Sequence, residues 1–113
     1  MQNLRYVGKN LFIEKLSINN IVKKNKTPFY LYSENQIINN YLKFTKNFKK
    51  TNPLVCFAAK SNSNVAILKI LGKLGAGADV VSGGELLKAL KAGIKASKIV
   101  FSGVGKTEDE LKI

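Results

Sequence analysis

The sequence predicts an α/β fold with parallel strands, and three observations lead to that prediction. From Pro53 onward, short apolar runs alternate with longer segments in which apolar residues recur at helical spacing. The connections are short, and small polar residues and glycines stand where helices should begin and end. This alternation is typical of parallel β/α units, whose right-handed crossovers place the helices on the outside of the sheet.

Residues 1–27 are predicted to be a short irregular or β segment, followed by one α/β domain over 28–113. Turn and loop are expected at 19–20 and 23–26, which are rich in asparagine and lysine. Residues 28–32 are then predicted to form a short strand.

A helix is predicted to follow that strand. Ser33 and Gln36 have the spacing of a capping box, and the helix should end near Lys49 and Lys50. Its apolar stripe is expected to face a core and consists of Ile37, Tyr41, Phe44 and Phe48.

The central prediction is a strand over 54–59 that ends on a lysine. The run contains no charge, glycine or proline, which fits a strand buried on both faces of a parallel sheet. Period two places Cys56, Ala58 and Lys60 on one face. An amine at the carboxyl end of a buried strand loses hydration and is a candidate for Schiff-base chemistry. The simpler alternative is that Lys60 only marks where the strand reaches water.

A helix and then one further strand–helix unit are predicted after Lys60. The polar loop 61–64 should cap a helix that begins at Val65, buries Ile67, Leu68, Leu71 and Leu74, and stops at Gly75. A strand over 78–81 precedes a second capping box, formed by Ser82 and Glu85, and a helix that stops at Gly93.

The remaining residues repeat this pattern in part. A strand is predicted over 99–101, a loop over 102–106, and a third capping box at 107–110. An open sheet of so few strands leaves an exposed edge, and the last helix has only about one turn. We therefore expect part of a larger α/β protein, most simply a (β/α)8 TIM barrel, which takes about 250 residues.

Composition excludes several classes of site. The chain has 113 residues, one cysteine and no histidine, so neither an internal disulfide nor a histidine- or cysteine-based metal site is expected. No apolar run is long enough to span a membrane, and a reducing cytoplasm is the default compartment. The formal net charge is +12, but the lysines are scattered, so they are expected to solvate the surface and not to bind nucleic acid.

Three glycine-rich segments are candidates for binding loops. Residues 103–107 lack the spacing of a phosphate loop, and residues 75–79 follow a helix where a dinucleotide loop follows a strand. Residues 82–84 could bind an anion at a helix start, although an ordinary capping box is the simpler interpretation. Asp79 could hold a protonated lysine on the neighbouring strand end about 5 Å away, or it could simply form a turn.

Three segments together resemble the barrel-type decarboxylases that depend on pyridoxal phosphate, the family that acts on ornithine, arginine, carboxynorspermidine and diaminopimelate. The segments are residues 57–62, 77–86 and 99–107, and the resemblance runs from about Thr27 to the end of the chain. The middle segment reads Gly-Ala-Asp-Val-Val-Ser-Gly-Gly-Glu-Leu, which favours the diaminopimelate branch.

The resemblance implies a role for four residues. Lys60 would bind pyridoxal 5'-phosphate as a Schiff base, and Ala58 would pack beside the cofactor. Asp79 would lie near Lys60, and Glu85 would shape the site from the next helix start. The implied reaction is decarboxylation of the small amino acid meso-diaminopimelate to L-lysine, the last step of lysine biosynthesis, by a homodimer.

Several features of the family have no counterpart in this sequence. They are a histidine stacked on the cofactor, glycine loops for the phosphate, a Glu-Pro-Gly-Arg segment and a cysteine from the partner subunit, which Cys56 does not match. The chain is therefore expected to be inactive alone. The alternatives are a related decarboxylase of the same family, a pyridoxal-phosphate carrier or racemase of related fold, or a lysine-rich interaction protein without enzymatic activity.

Overall fold

The computed structural model describes residues 3–48 and 50–113, which divide into two compact units. One unit runs to Asn40 and the other from Tyr41 to Ile113. The domain boundary predicted at 27/28 remains a prediction. No helix in the described residues is long and apolar enough to cross a membrane.

The first unit contains a small antiparallel sheet. Its strands are β1 (Leu4–Val7), β2 (Asn10–Ile13) and β3 (Leu16–Ser17), paired in that order. Two-residue turns join them, and the first residue of each turn, Gly8 or Glu14, has a positive φ. The predicted irregular or β segment is therefore mostly β structure.

Two predictions in this unit are wrong. Helix α1 (Ile18–Lys24) occupies most of the expected turn and loop, because Ile18 and Ile21 lie half-buried on one side of it. Residues 28–32 form no strand, since none of the described residues pairs with them and a strand needs a hydrogen-bonded neighbour.

Helix α2 (Glu34–Lys46) begins as predicted but ends earlier. The Ser33 hydroxyl accepts the Gln36 N–H at 3.0 Å, while the Gln36 side-chain amide bonds Asn40 and does not complete the capping box. The chain turns after Lys46, and Lys49 lies outside the described residues. The expected burial of the apolar stripe is only partial, because Phe44 is 54% and Phe48 41% exposed.

The second unit contains the predicted parallel sheet, in the order β4 (Cys56–Ala58), β5 (Gly77–Val80) and β6 (Ile99–Phe101). Helices α3 (Val65–Lys73) and α4 (Gly83–Lys91) connect the strands, and α5 (Glu108–Lys112) follows the last one. The α/β fold class is confirmed.

The core lies between this sheet and its helices. Its fully buried side chains come from the turn after β4, from α3, β5 and α4: Ala59, Leu68, Ala78, Val80 and Ala89. The alanines let the helices approach the sheet closely. Among the described residues, the helices cover only this face of the sheet. The expected burial of the first strand on both faces is therefore wrong: Leu54 is exposed and residues 55–58 are half-buried.

The helix ends follow the sequence closely. The Asn64 side chain caps α3 by accepting the Ala66 N–H at 2.9 Å. At its other end Gly75 has φ +94°, and the Ala76 N–H returns to the Leu71 carbonyl at 3.1 Å. Gly93 ends α4 in the same conformation.

Gly77, the first residue of β5, lies in close contact with the chain on both sides. A Cβ at this position would overlap the Lys98 carbonyl oxygen on the neighbouring backbone and would lie 2.7 Å from the Cys56 sulfur. Because a backbone carbonyl in a sheet cannot move aside cheaply, the first residue of β5 must be glycine.

We expect Gly77→Ala to destabilise the chain by about 1–3 kcal/mol, the usual cost of overpacking. Urea unfolding monitored by circular dichroism measures the change. Gly84→Ala is the control, because the nearest atom to its Cβ is 4.0 Å away and alanine favours the helix. Equal stability of Gly77→Ala and the native chain would contradict the close approach.

Candidate functional site

The sequence-predicted site residues gather at the carboxyl edge of the parallel sheet. The register pairs Ala58 with Asp79 and Asp79 with Val100, so these three side chains share the face that the helices leave uncovered. The opposite face carries Phe57, Ala78 and Ile99, which belong to the packed core or contact it. The side chains at this edge are therefore accessible on one face of the sheet, while the other face packs against the core.

Lys60 lies in a single turn of 3-10 helix, Ala59–Ser61, directly after β4. The Ser61 hydroxyl donates to the Ala58 carbonyl at 2.8 Å, and the Asn62 N–H donates to the Ala59 carbonyl at 3.0 Å. These bonds curl the chain, so the predicted strand alternation through Lys60 is wrong. Fully buried Ala59 anchors the turn in the core.

The Lys60 side chain is exposed, and the loss of hydration expected for it is not found. Its amine has no hydrogen bond or ion pair with any described residue. A fixed turn thus presents a free amine at the open edge of the sheet.

Asp79 lies on β5, next to Ala58 in the register. It makes no ion pair with Lys60 within the described part of the chain; instead, the Ser102 hydroxyl donates to its Oδ1 at 2.5 Å. The Asp79 charge also acts on Cys56, whose pKa is raised mainly by burial and secondarily by this carboxylate.

Glu85 lies in the first turn of α4, as the capping pattern predicts. The Ser82 hydroxyl accepts the Glu85 N–H at 3.3 Å, and the Glu85 carboxylate accepts the Val81 N–H at 2.9 Å. The bond to Val81 instead of Ser82 means that Glu85 holds the loop between β5 and α4.

Glu110 is a residue that the site analysis of the sequence missed. With Thr107 it forms the predicted capping box of α5, and its Oε1 also accepts the Gly83 N–H at the start of α4, at 2.7 Å. Helix α5 is therefore hydrogen-bonded to the start of α4. The capping pattern gave Glu110 a local role, but no sequence signal showed the contact 27 residues away.

The glycine-rich segment after β6 packs closely against the chain that follows β5, and it does not have the form of a phosphate loop. Gly103 is buried, and a Cβ there would lie 2.5 Å from the Val81 carbonyl oxygen. The Lys106 amine donates to the Gly103 carbonyl at 2.6 Å and lies 5.4 Å from the centre of the Phe101 ring. The loop is closed by its own side chain, which agrees with its short spacing.

Most of the chain, including this edge of the sheet, matches a known protein family. The family model described as "Pyridoxal-dependent decarboxylase, pyridoxal binding domain" matches residues 34–113. The chain belongs to this family. The cofactor of the family is pyridoxal phosphate, so the predicted family, fold and cofactor are confirmed.

The curated relatives of the chain are named diaminopimelate decarboxylase. The protein from Pseudomonas fluorescens is 46% identical over 99% of this chain, and that from Aquifex aeolicus (strain VF5) is 48% identical over 96%. The chain spans about a quarter of the length of these relatives, 27% and 25% respectively.

Solved structures agree with the sequence relatives. Diaminopimelate decarboxylase from M. jannaschii in co-complex with L-lysine matches with a TM-score of 0.90 at 38% identity, over 97% of this chain and 27% of that one. Lysine decarboxylase from Selenomonas ruminantium matches with a TM-score of 0.79 at 28% identity, over 99% of this chain and 28% of that one.

The described residues fit pyridoxal phosphate at its aldehyde end. The exposed, unpaired Lys60 amine can reach a carbonyl carbon, and the small Ala58 leaves room on the same edge. Asp79 adds a carboxylate on the neighbouring strand. For the cofactor phosphate, the described residues at this edge offer no comparable grip, since Gly83 N–H is taken by Glu110 and Lys106 by Gly103.

We expect Glu110→Gln to destabilise the chain at neutral pH and to have little effect in acid. The N–H groups of Gly83 and Thr107 hold the pKa of Glu110 below its usual range. This stabilisation is fully present above the unfolded-state pKa and is lost as the pH falls through the lowered folded-state pKa.

Urea unfolding at neutral and at acid pH measures the difference. Glu108→Gln is the control, because Glu108 is exposed and its ion pair with Lys112, at 4.0 Å on the surface, contributes little to stability. A loss for Glu110→Gln that is the same at both pH values would show that the carboxylate charge is not responsible.

Proposed function

We propose that this chain is the pyridoxal-binding part of a diaminopimelate decarboxylase, and that Lys60 is the residue that attaches the cofactor. The observation that carries the proposal is the free Lys60 amine on a fixed turn beside Ala58 and Asp79, in a chain 46% identical to the P. fluorescens relative. The substrate is meso-diaminopimelate, which loses one carboxyl group as CO2 and gains one proton at the same carbon to give L-lysine.

Bound pyridoxal phosphate supplies an electron-accepting ring for the electrons that the departing CO2 leaves behind. The Lys60 amine would hold the cofactor at its aldehyde carbon, and as a free amine it would carry a proton at the same place. Ala58 keeps the edge open for the ring, and Asp79 provides a carboxylate on the neighbouring strand. Glu85 shapes the site indirectly, by holding the loop 81–83.

The wider setting of the chain is also part of the proposal. Residues for the phosphate and for the substrate side chain are to be supplied by the three quarters of the relatives that this chain does not cover. We propose that the complete enzyme is a cytoplasmic homodimer. One free, half-buried cysteine agrees with a reducing compartment, and scattered surface lysines favour solvation over nucleic-acid binding.

Incubation of the chain with excess pyridoxal phosphate, followed by borohydride reduction and peptide mapping, should label Lys60 ahead of the other lysines. Labelling should be weak, because the described residues give the phosphate no grip. Lys60→Ala should abolish the preferred label, whereas Lys69→Ala, which removes an exposed lysine from α3, should not. Uniform labelling of all lysines would overturn the role of Lys60.

Decarboxylation itself is tested in a chimaera. Residues 3–113 replace the matching part of the P. fluorescens enzyme, and release of CO2 from meso-diaminopimelate is measured. We expect no turnover by the chain alone and clear turnover by the chimaera. Lys60→Ala should lower it at least about 100-fold, the low end for a positioned proton carrier, with Lys69→Ala as the unaffected control.

A second chimaera tests the branch of the family. Here the same residues replace the matching part of the S. ruminantium lysine decarboxylase, to which the chain is only 28% identical. Because this chain must pack against the remainder, we expect activity with the first partner and little with the second. If only the second chimaera were active, and on L-lysine, the proposed substrate would be L-lysine instead of meso-diaminopimelate.

A further inference from the structure

Ser102 joins two strands at the site edge, although no sequence motif assigned it a role. Its hydroxyl donates to Asp79 Oδ1 at 2.5 Å, and its N–H donates to the Val80 carbonyl at 3.0 Å. The second bond continues the β5–β6 pairing past the end of β6, so Ser102 has a fixed place beside Asp79. Buried Gly103 then packs against the Val81 carbonyl and holds the next residue of the loop.

The bond selects one orientation of the Asp79 carboxylate. A hydroxyl that donates to a charged oxygen makes a strong, directional hydrogen bond. Oδ1 is thereby engaged, while Oδ2 has no hydrogen-bond partner among the described residues. The neighbours of Asp79 in the register, Ala58 and Val100, are apolar and cannot replace Ser102 as donor.

We propose that Ser102 is a positioning residue that turns the free oxygen of Asp79 toward the edge where Lys60 binds the cofactor. The inference rests on the proposed function, in which Lys60 makes that attachment. Without the hydroxyl, the Asp79 carboxylate rotates freely and meets the Lys60–cofactor linkage less often.

The test compares Ser102→Thr with Ser102→Val, which have the same shape and differ only in the hydroxyl. The full chain is incubated with sub-saturating pyridoxal phosphate and reduced with borohydride, and the fraction labelled at Lys60 is measured. We expect Ser102→Thr to match the native chain and Ser102→Val to bind about five- to tenfold more weakly, as for loss of a typical hydrogen bond. Ser97→Ala, in the 3-10 turn that precedes β6, is the control.

Asp79→Ala, which removes the acceptor, supplies the second arm of the test. If Ser102 acts through Asp79, the valine and threonine variants must label equally in the Asp79→Ala background, since interacting residues are not additive. Equal labelling of the two variants in the native background would overturn the inference, and so would a difference that persists with Asp79→Ala. Absence of preferred Lys60 labelling in the native chain would instead refute the cofactor attachment itself, and the positioning role with it.

Discussion

The structure of the second unit depends on one constraint, the close parallel pairing of β4, β5 and β6 with only one face covered. Gly77 permits that pairing at the amino end, where any side chain would strike the Lys98 backbone. Buried alanines on the covered face let α3 and α4 pack tightly against the strands. Because the helices take all of one face, the polar residues of the strands are directed to the other.

The open face explains why chemistry gathers at the carboxyl edge. Successive strands bring Ala58 and Asp79 side by side, and the 3-10 turn places Lys60 just beyond them. The chain after β6 is hydrogen-bonded to the preceding strand–helix unit. The Ser102 hydroxyl donates to Asp79 on β5, and the Glu110 carboxylate accepts the N–H of Gly83 at the start of α4. Lys60 is thus exposed on a hydrogen-bonded turn, and a fixed attachment point lowers the entropic cost of the cofactor binding that we propose for it.

Much of this arrangement could be predicted from the sequence, and the failures have a common physical origin. The caps at Asn64 and Thr107 and the stops at Gly75 and Gly93 were correct, because such signals act over a few residues. The strand predicted at 28–32 and most of the turn and loop predicted at 19–20 and 23–26 were wrong, because pairing and burial depend on distant neighbours. The burial expected for Phe44 and Phe48 failed for the same reason.

The sequence by itself determined the order of strands and helices from Pro53 onward, the family and the lysine at the edge of the sheet. Each of these features depends on the spacing of nearby residues or on a contiguous motif. Only the tertiary structure decided that Lys60 leaves the strand for a turn, that Asp79 bonds Ser102, and that Glu110 reaches α4. The last two contacts join residues 23 and 27 positions apart, and a hydrogen bond between such residues exists only after the chain has folded.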